Sequence, residues 1–181
     1  SSVKKVRMYL AIVSKYKNNL VGIKEAESLA GEGYQKTTVK VWYEYQRLLS
    51  KFNALDFDDL LTMCVKLLRV NEVRDKVHGR FGWILVDEYQ DTNKAQFEMT
   101  RLLVNDPNNL TVVGDASQAI YSFRGADYRN LDLLKEHFKD LKVIELTKNY
   151  RSTQNILDAA SGVIGNNTGH PVLKLVAKEN Q

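Results

Sequence analysis

Two short apolar runs along the chain each end directly in acidic residues. Residues 83–88 read Trp-Ile-Leu-Val-Asp-Glu, and residues 110–115 read Leu-Thr-Val-Val-Gly-Asp. Apolar runs of this length, rich in branched side chains, are typical of strands buried on both faces in a parallel sheet. A similar run predicts a third strand over residues 142–147, and residues 172–176 predict the beginning of a further one.

Apolar positions spaced three or four residues apart predict helices in the rest of the chain. Residues 1–53 are predicted to be helical throughout, with the Gly-Glu-Gly sequence at 31–33 separating two helices. The next helix is predicted over residues 54–70, where Asp56 is placed to cap it and Asp59 follows three residues later.

The later part of the chain alternates predicted helices with the predicted strands. Helical stripes follow at residues 95–103, 129–138 and 156–164, and Ser152 is placed to cap the last of them. Strands that alternate with helices indicate a parallel α/β layer. The sequence therefore predicts an α/β fold that begins with an all-helical part.

Charge is unevenly distributed along the chain, although the net charge is only +4. Residues 1–53 carry ten Lys or Arg against four Glu, whereas the remainder carries sixteen basic against eighteen acidic residues. A basic segment attached to a near-neutral body is compatible with a surface that contacts phosphate backbones. It is equally compatible with ordinary solvated helix faces.

The composition excludes several classes of protein. Cys64 is the only cysteine, so an internal disulfide is impossible and a reducing compartment is expected. No run approaches the roughly 18 apolar residues of a membrane span, and the first residues lack the apolar core of a signal peptide. A cytoplasmic protein without a membrane partner is predicted.

The acidic pair at the end of the first apolar run has a specific chemical use. Open α/β folds bind ligands at the carboxyl ends of their strands. In nucleotide-dependent motors, one acid at this place holds magnesium, and a second orients or deprotonates the attacking water. Asp87 and Glu88 fit these two roles. The alternative is a strand that ends in acidic residues beside a helix cap.

The loop after the second run carries an amide and two aromatic rings. Gln118 can hydrogen-bond a phosphate or the attacking water without adding charge. Tyr121 and Phe123 can offer ring faces to unstacked bases, a contact worth about 1–3 kcal/mol per base. The alternative is a loop that its aromatic rings hold in a hydrophobic groove.

Tyr150 and Arg151 stand where the last predicted helix opens, and a helix N-terminus is a natural anion site. Arg151 is placed to reach a γ-phosphate as an arginine finger, a role worth a factor of about 10³–10⁵ in such enzymes. Tyr150 can stack on a purine ring. The alternative is a surface arginine in a helix cap that only improves solubility.

Four stretches of the chain resemble, in this order, the signatures of the UvrD/PcrA/Rep helicases of superfamily 1. They are residues 55–60, 86–92, 113–127 and 149–153. The resemblance extends over essentially the whole chain. It implies a motor that uses ATP and Mg²⁺, moves 3′ to 5′ on single-stranded DNA and separates duplex DNA.

The resemblance also implies roles in ATP hydrolysis, position by position. Asp87 is implied to hold Mg²⁺, and Glu88 to be the general base for water. Gln118 is implied to sense the γ-phosphate and to couple it to DNA. Tyr150 is implied to stack on adenine, and Arg151 to be the finger supplied by a second motor domain.

For DNA, the resemblance implies a single-strand channel lined by the loop after the second strand. Tyr121 and Phe123 are implied to contact bases, with Arg124 supporting that surface. Two positions depart from the family pattern, since relatives commonly have Trp where Phe123 stands and Asp where Ser117 stands. A phenylalanine still stacks on a base, but with less ring area.

The resemblance implies that the chain has three parts. Residues 1–53 are implied to belong to a helical subdomain inserted into the first motor domain. Residues 54–147 are implied to form part of a RecA-like first motor domain, a parallel sheet flanked by helices. Residues 148–181 are implied to begin the second motor domain.

The family's phosphate-binding loop is absent from the sequence. That loop, Gly-x-x-x-x-Gly-Lys-Ser/Thr, needs two glycines five positions apart, and the ten glycines of the chain include no such pair. We therefore expect the chain to be an internal piece of a helicase. By itself it is expected to hydrolyse ATP negligibly and to bind single-stranded DNA weakly and in a salt-dependent way.

Two alternatives stay open at this point. One is a stand-alone module, derived from a helicase, that binds nucleic acid or a partner protein. The other is an unrelated metal-dependent hydrolase that uses Asp87, Glu88 and Asp115. The three histidines show no metal-ligand spacing such as His-x-x-x-His, which counts against the hydrolase.

Overall fold

The structure, a computed structural model, describes residues 2–106 and 109–178, without the side chains of Ser2 and Arg124. Its helices are α1 (Ser2–Asn18), α2 (Ile23–Leu29), α3 (Tyr34–Lys51), α4 (Phe57–Leu68), α5 (Asn71–His78), α6 (Lys94–Leu103), α7 (Asn130–His137) and α8 (Gln154–Ile164). Its strands are β1 (Ile84–Val86), β2 (Leu110–Val112), β3 (Lys148–Asn149) and β4 (Val176–Ala177). None of the helices described here is long and apolar enough to cross a membrane.

The described chain is a helix-rich α/β structure with two small parallel sheets. Strand β1 pairs with β2, and β3 pairs with β4, both in parallel. The α/β prediction is therefore confirmed in its general form.

Helices α1, α2 and α3 pack on one another through a core of their own. The ring of Tyr16 stacks on Trp42 in this core, with 5.8 Å between the ring centroids. Helix α3 begins after Gly33, whose positive φ of 75° suits a glycine. The predicted helical character of this segment and the predicted break at 31–33 are confirmed, but a second break, at residues 19–22 between α1 and α2, was not predicted. The buried hydrophobic residues of this core are Val13, Ala26, Val39 and Trp42.

A buried lysine joins this helical unit to helix α4. Lys17 is only 4% exposed, and its Nζ lies 2.7 Å from Asp56 Oδ2 and 2.8 Å from Asp59 Oδ1. The same aspartates form a capping box in which the Asp59 N–H donates to Asp56 Oδ1 at 2.7 Å. Burial acts to raise the pKa of Asp56, but hydrogen bonds from Lys17 and Asp59 hold it below its usual value. The predicted cap is thus confirmed, and it also anchors α1.

Strands β1 and β2 form the first parallel pair that the sequence predicts. Ile84 lies opposite Leu110, and Val86 lies opposite Val112. These four side chains belong to an apolar cluster that buries Tyr89 and one face of helix α7. Burial raises the pKa of the Tyr89 hydroxyl to about 12, so this side chain stays neutral at physiological pH.

The prediction that these strands are buried on both faces is wrong. Leu85 is 75% exposed and Val113 is 52% exposed. Because side chains alternate across a strand, Ile84 and Val86 face the apolar cluster while Leu85 faces away from it. An apolar run cannot tell whether one or both faces of a sheet are covered. In the described chain, Leu85 borders an open groove instead.

Residues 142–147 form no strand in the described chain, contrary to the prediction. Val143, Ile144 and Leu146 are 60%, 68% and 71% exposed. A strand forms only where a neighbouring strand completes its hydrogen-bond ladder, and in the described chain only the last of these residues has such a bond, since the Thr147 carbonyl accepts the Val176 N–H at 2.9 Å. Pairing begins one residue later, at Lys148. The strand expected over 172–176 is confined to β4, which begins only at the last of those residues.

Ser152 is not the cap of helix α8, contrary to the prediction. The N-cap residue is Thr153, and its side chain makes no capping hydrogen bond. Asn149 organises the turn instead, because its Oδ1 accepts the backbone N–H groups of Arg151 at 2.9 Å and Ser152 at 2.8 Å. Asparagine side chains commonly close turns in this way.

We expect Lys17→Met to destabilise the chain by about 3–5 kcal/mol, because the substitution leaves buried carboxylates without their cation. Lys15→Met, at an exposed position of the same helix, is the control, and we expect it to change the stability by no more than about 0.5 kcal/mol. Urea denaturation followed by circular dichroism gives both free energies of unfolding. Equal stabilities of the two variants would mean that the Lys17 ion pairs do not stabilise the fold.

Candidate functional site

An acidic turn lies at the carboxyl end of β1. Glu88 adopts a left-handed backbone conformation, with φ 50° and ψ 43°. Its N–H donates to Asp87 Oδ1 at 2.9 Å. A residue other than glycine in this conformation stores about 1–3 kcal/mol of strain, and such residues cluster at functional sites. The turn therefore has the backbone signature of a site, besides its two carboxylates.

A buried amide ties this acidic turn to the end of β2. Gln90 is 1% exposed. Its Nε2 donates to Glu88 Oε2 at 2.7 Å, and its Oε1 accepts the backbone N–H of Asp115 at 3.0 Å. A carboxylate can only accept and a backbone N–H can only donate, so the amide has one possible orientation. Gln90 thus fixes the position of the Glu88 carboxylate relative to the second strand.

Asp115 in turn holds the first residues of the following loop. Its Oδ1 accepts the backbone N–H of Ser117 at 2.9 Å, and its Oδ2 accepts Nε2 of Gln118 at 2.9 Å. Asp87, Glu88, Asp115 and Gln118 therefore share one edge of the sheet, linked by hydrogen bonds through Gln90. The parallel register of β1 and β2 produces this arrangement.

The aromatic loop that follows presents its rings to solvent. Phe123 is 75% exposed and Tyr121 is 38% exposed, and their ring centroids are 5.9 Å apart at an angle of 46°. The exposure of Phe123 is compatible with a ring that is offered to a ligand, whereas Tyr121 is more covered. The side chain of Arg124, the third predicted contact, lies outside the described part of the structure.

Tyr150 and Arg151 lie on a different segment, between β3 and α8. The Tyr150 ring is 62% exposed, and the ammonium groups of Lys148 and Lys178 lie 5.7 Å and 5.8 Å from its centroid. Lysines at such distances interact favourably with the ring face. In the described chain the exposed Arg151 forms no ion pair with Asp87 or Glu88. The structure therefore brings the two acids and Gln118 together, but not Arg151.

A groove of about 550 Å³ opens beside the acidic turn. Its polar end is lined by Asp87, Glu88 and Asp91, and its apolar walls include Trp83 and Leu85. Asp91 Oδ1 is buried without a hydrogen-bond partner among the described residues. Burial of a carboxylate oxygen without a hydrogen-bond partner is costly.

The acidic turn fits one kind of metal ion. The described residues include no group of three His, Cys, Asp or Glu side chains that could hold a metal by themselves. Mg²⁺ commonly takes only one or two protein carboxylates and completes its shell with substrate phosphates and water. The exposed Asp87 carboxylate suits that arrangement. The metal-dependent hydrolase that was considered above needs a denser ligand set, so the described residues disfavour it.

Sequence reasoning missed several polar residues that organise the site. Besides Gln90, these are Asn130 and Asp127, which bind the carbonyl group of Thr92 at the end of the acidic turn. The Thr92 carbonyl accepts Asn130 Nδ2 at 2.8 Å and the Asp127 N–H at 3.0 Å. A lone buried amide leaves no periodic or spacing signal in a sequence, because its role depends on a partner 25 or 38 positions away.

We expect Gly114→Ala to weaken the site, because its Cβ would lie 3.0 Å from Gln90 Oε1 and 3.3 Å from Tyr89 Cβ. Overpacking of this kind typically costs about 1–3 kcal/mol. Gly82→Ala is the matched control, since its Cβ would meet no atom within 4 Å. Thermal melting of the two variants measures the difference, and a melting temperature for Gly114→Ala as high as for the control would argue against the tight contact with Gln90.

The chain is similar to known proteins over most of its length. The family model of the UvrD/REP helicase N-terminal domain matches residues 2–139. The ATP-dependent DNA helicase PcrA of Staphylococcus epidermidis is 44% identical over 163 residues, and that of Staphylococcus aureus is 43% identical over 163 residues. Each alignment covers 90% of this chain and 22% of the relative, so the chain spans about a fifth of the length of these curated relatives.

Proposed function

Because the chain belongs to the UvrD/REP helicase family, we propose that it is part of an ATP-dependent DNA helicase and carries one side of its nucleotide site. The parent protein would couple ATP hydrolysis to movement 3′ to 5′ along single-stranded DNA and to separation of duplex DNA. One observation carries the proposal: Gln90 links the acidic turn of β1 to the end of β2, where Asp115 holds Gln118.

Asp87 would hold the Mg²⁺ of a bound MgATP complex. When bound, the ion neutralises charge on the phosphates. Glu88 is the general base in this proposal, and its carboxylate takes the proton of the water that attacks the γ-phosphate. Gln90 holds Glu88 Oε2, so Oε1 is the oxygen that meets the water. The buried amide thereby supplies the fixed position that a general base needs.

Gln118 would connect the nucleotide to DNA. Its side-chain amide donates to Asp115 Oδ2 in the structure, and a γ-phosphate would compete for the same donor. A shift of Gln118 toward a phosphate would move the start of the aromatic loop, in which Tyr121 and Phe123 follow three and five residues later. We propose these two rings, supported by Arg124, as the contacts to single-stranded DNA.

Tyr150 and Arg151 would complete the nucleotide site from the segment that begins at residue 148. Tyr150 would stack on adenine, and its exposed ring between Lys148 and Lys178 supports that role. Arg151 would stabilise the charge that develops on the γ-phosphate. In this proposal the nucleotide would bridge Arg151 and the acidic turn, since Arg151 forms no ion pair with Asp87 or Glu88 in the described chain.

The domain assignment is part of the same proposal. Residues 1–53 would be the inserted helical subdomain, residues 54–147 part of a RecA-like first motor domain, and residues 148–181 the start of the second. The separate core of α1, α2 and α3 supports the first boundary. The separate pairing of β3 with β4 supports the second boundary. The soluble setting of such a motor would be the cytoplasm.

We expect Glu88→Gln to lower ATP turnover by about 10²–10⁴-fold in the full-length protein that carries the chain, because the general base is lost. Nucleotide binding should persist, since the substituted side chain keeps its shape. Glu136→Gln, at an exposed position of α7, should leave turnover unchanged. The isolated 181 residues, which carry no phosphate-binding loop, should turn over ATP negligibly, and steady-state turnover by them that Glu88→Gln abolishes would refute this part of the proposal.

Phe123→Ala should weaken binding of a labelled oligodeoxythymidine, because loss of one stacked ring costs about 1–3 kcal/mol per base. Phe52→Ala is the control, since Phe52 is 71% exposed on the helical unit. Fluorescence anisotropy at two salt concentrations measures the affinities of both variants. Binding should be weaker at the higher salt concentration, because the release of counterions from the DNA phosphates is then less favourable. Unchanged affinity in Phe123→Ala would remove this ring from the DNA surface.

A further inference from the structure

Asn18, the last residue of α1, is a buried side chain that meets three separate segments. It is 6% exposed. Its Nδ2 donates to Asp58 Oδ1 in helix α4 at 2.9 Å, and its Oδ1 accepts Nδ2 of Asn93 at 2.7 Å. A Cβ placed on Gly125, in the aromatic loop, would lie 3.6 Å from the Asn18 Cβ. The helical unit, helix α4, the residue after the acidic turn and the aromatic loop therefore meet around the Asn18 side chain.

The direction of every hydrogen bond in this set is determined. Asn93 caps helix α6, and its Oδ1 accepts the backbone N–H of Gln96 at 2.9 Å. Its Nδ2 must therefore face Asn18, which meets it with Oδ1. Only Nδ2 of Asn18 is left for Asp58, whose carboxylate can only accept. A flip of either amide would place two donors or two acceptors against each other.

The same set continues toward both proposed sites. Asn93 directly follows Thr92, the end of the acidic turn. The Thr92 carbonyl accepts the Asp127 N–H at 3.0 Å and Asn130 Nδ2 at 2.8 Å. Asp127 ends the aromatic loop, so a line of hydrogen bonds, joined by the peptide link between Thr92 and Asn93, runs from α1 past the acidic turn to that loop.

We propose that Asn18 is a positioning residue that couples the nucleotide side of the molecule to its DNA side. The inference rests on the proposed function and deepens it, since it names how the two sides communicate. A buried amide network is satisfied in few arrangements. A displacement of the acidic turn on nucleotide binding must therefore carry α1 and the aromatic loop with it, or break these bonds.

The experiment compares four variants of the full-length protein. Asn18→Ala removes the amide. Asn18→Asp sets a carboxylate against Asp58, while the double variant Asn18→Asp with Asp58→Asn restores a donor–acceptor pair of reversed polarity at the same net charge. Asn19→Ala is the control, because the half-buried Asn19 side chain, directly after α1, donates only to the Lys15 carbonyl.

The readouts are ATP turnover without DNA, turnover with saturating oligodeoxythymidine, and the melting temperature. We expect Asn18→Ala and Asn18→Asp to keep the turnover measured without DNA. The factor by which DNA stimulates turnover should fall by about 5- to 150-fold, the usual range of a coupling between sites. The double variant should recover most of the stimulation, and Asn19→Ala should match the unsubstituted protein.

Two results would overturn the inference alone. One is normal DNA stimulation in Asn18→Ala. The other is a parallel fall of melting temperature and of turnover with and without DNA, unrelieved by the double variant, which would make the network merely structural. If the unsubstituted protein itself hydrolyses ATP without any stimulation by DNA, the proposed function fails, and the inference fails with it.

Discussion

The parallel pairing of β1 with β2 is the constraint on which the candidate site depends. Val86 lies opposite Val112, so both strands end at the same edge of the sheet. The polar residues that follow the two strands therefore lie side by side. Gln90 then occupies the space next to Gly114, where a Cβ would lie 3.0 Å from its Oε1. The bridge between Glu88 and the segment after β2 has room because that segment carries a glycine, Gly114, at the point of contact. Backbone geometry thus determines the site before any ligand contributes.

Buried polar contacts orient the helical unit on the rest of the described chain. The buried apolar residues of α1, α2 and α3 form one cluster, and those around the β1–β2 pair form another. At the junction, Lys17 binds Asp56 and Asp59, and Asn18 binds Asp58. Apolar burial has no preferred direction, whereas charge-assisted hydrogen bonds do. A typical hydrogen bond adds only about 0.5–1.5 kcal/mol of net stability, so the main effect of these contacts is on orientation.

Local patterns in the sequence were enough to predict most of the helices, the cap at Asp56 and the acids at the end of β1, although helix α5 and the break between α1 and α2 were not predicted. These features depend on residues within one or two turns of each other. The strand expected over 142–147 failed because its formation requires a neighbouring strand, which an apolar run does not reveal. The roles of Gln90 and Asn18 were not predicted for a related reason. Their hydrogen bonds join segments that lie 25 to 75 positions apart. Long-range polar partners leave no periodic trace.

The left-handed conformation of Glu88 determines how the side chains of the two acids after β1 are arranged. An extended continuation of β1 would send Asp87 and Glu88 to opposite faces of the sheet. The left-handed turn breaks this alternation, and the Glu88 N–H also donates to Asp87 Oδ1 at 2.9 Å. The strain of about 1–3 kcal/mol is offset by hydrogen bonds to charged groups, worth about 1.5–3 kcal/mol each. Gln90 also holds the Glu88 carboxylate, so the chain itself positions both acids, which is the preorganisation that the proposed hydrolysis of a bound triphosphate would need.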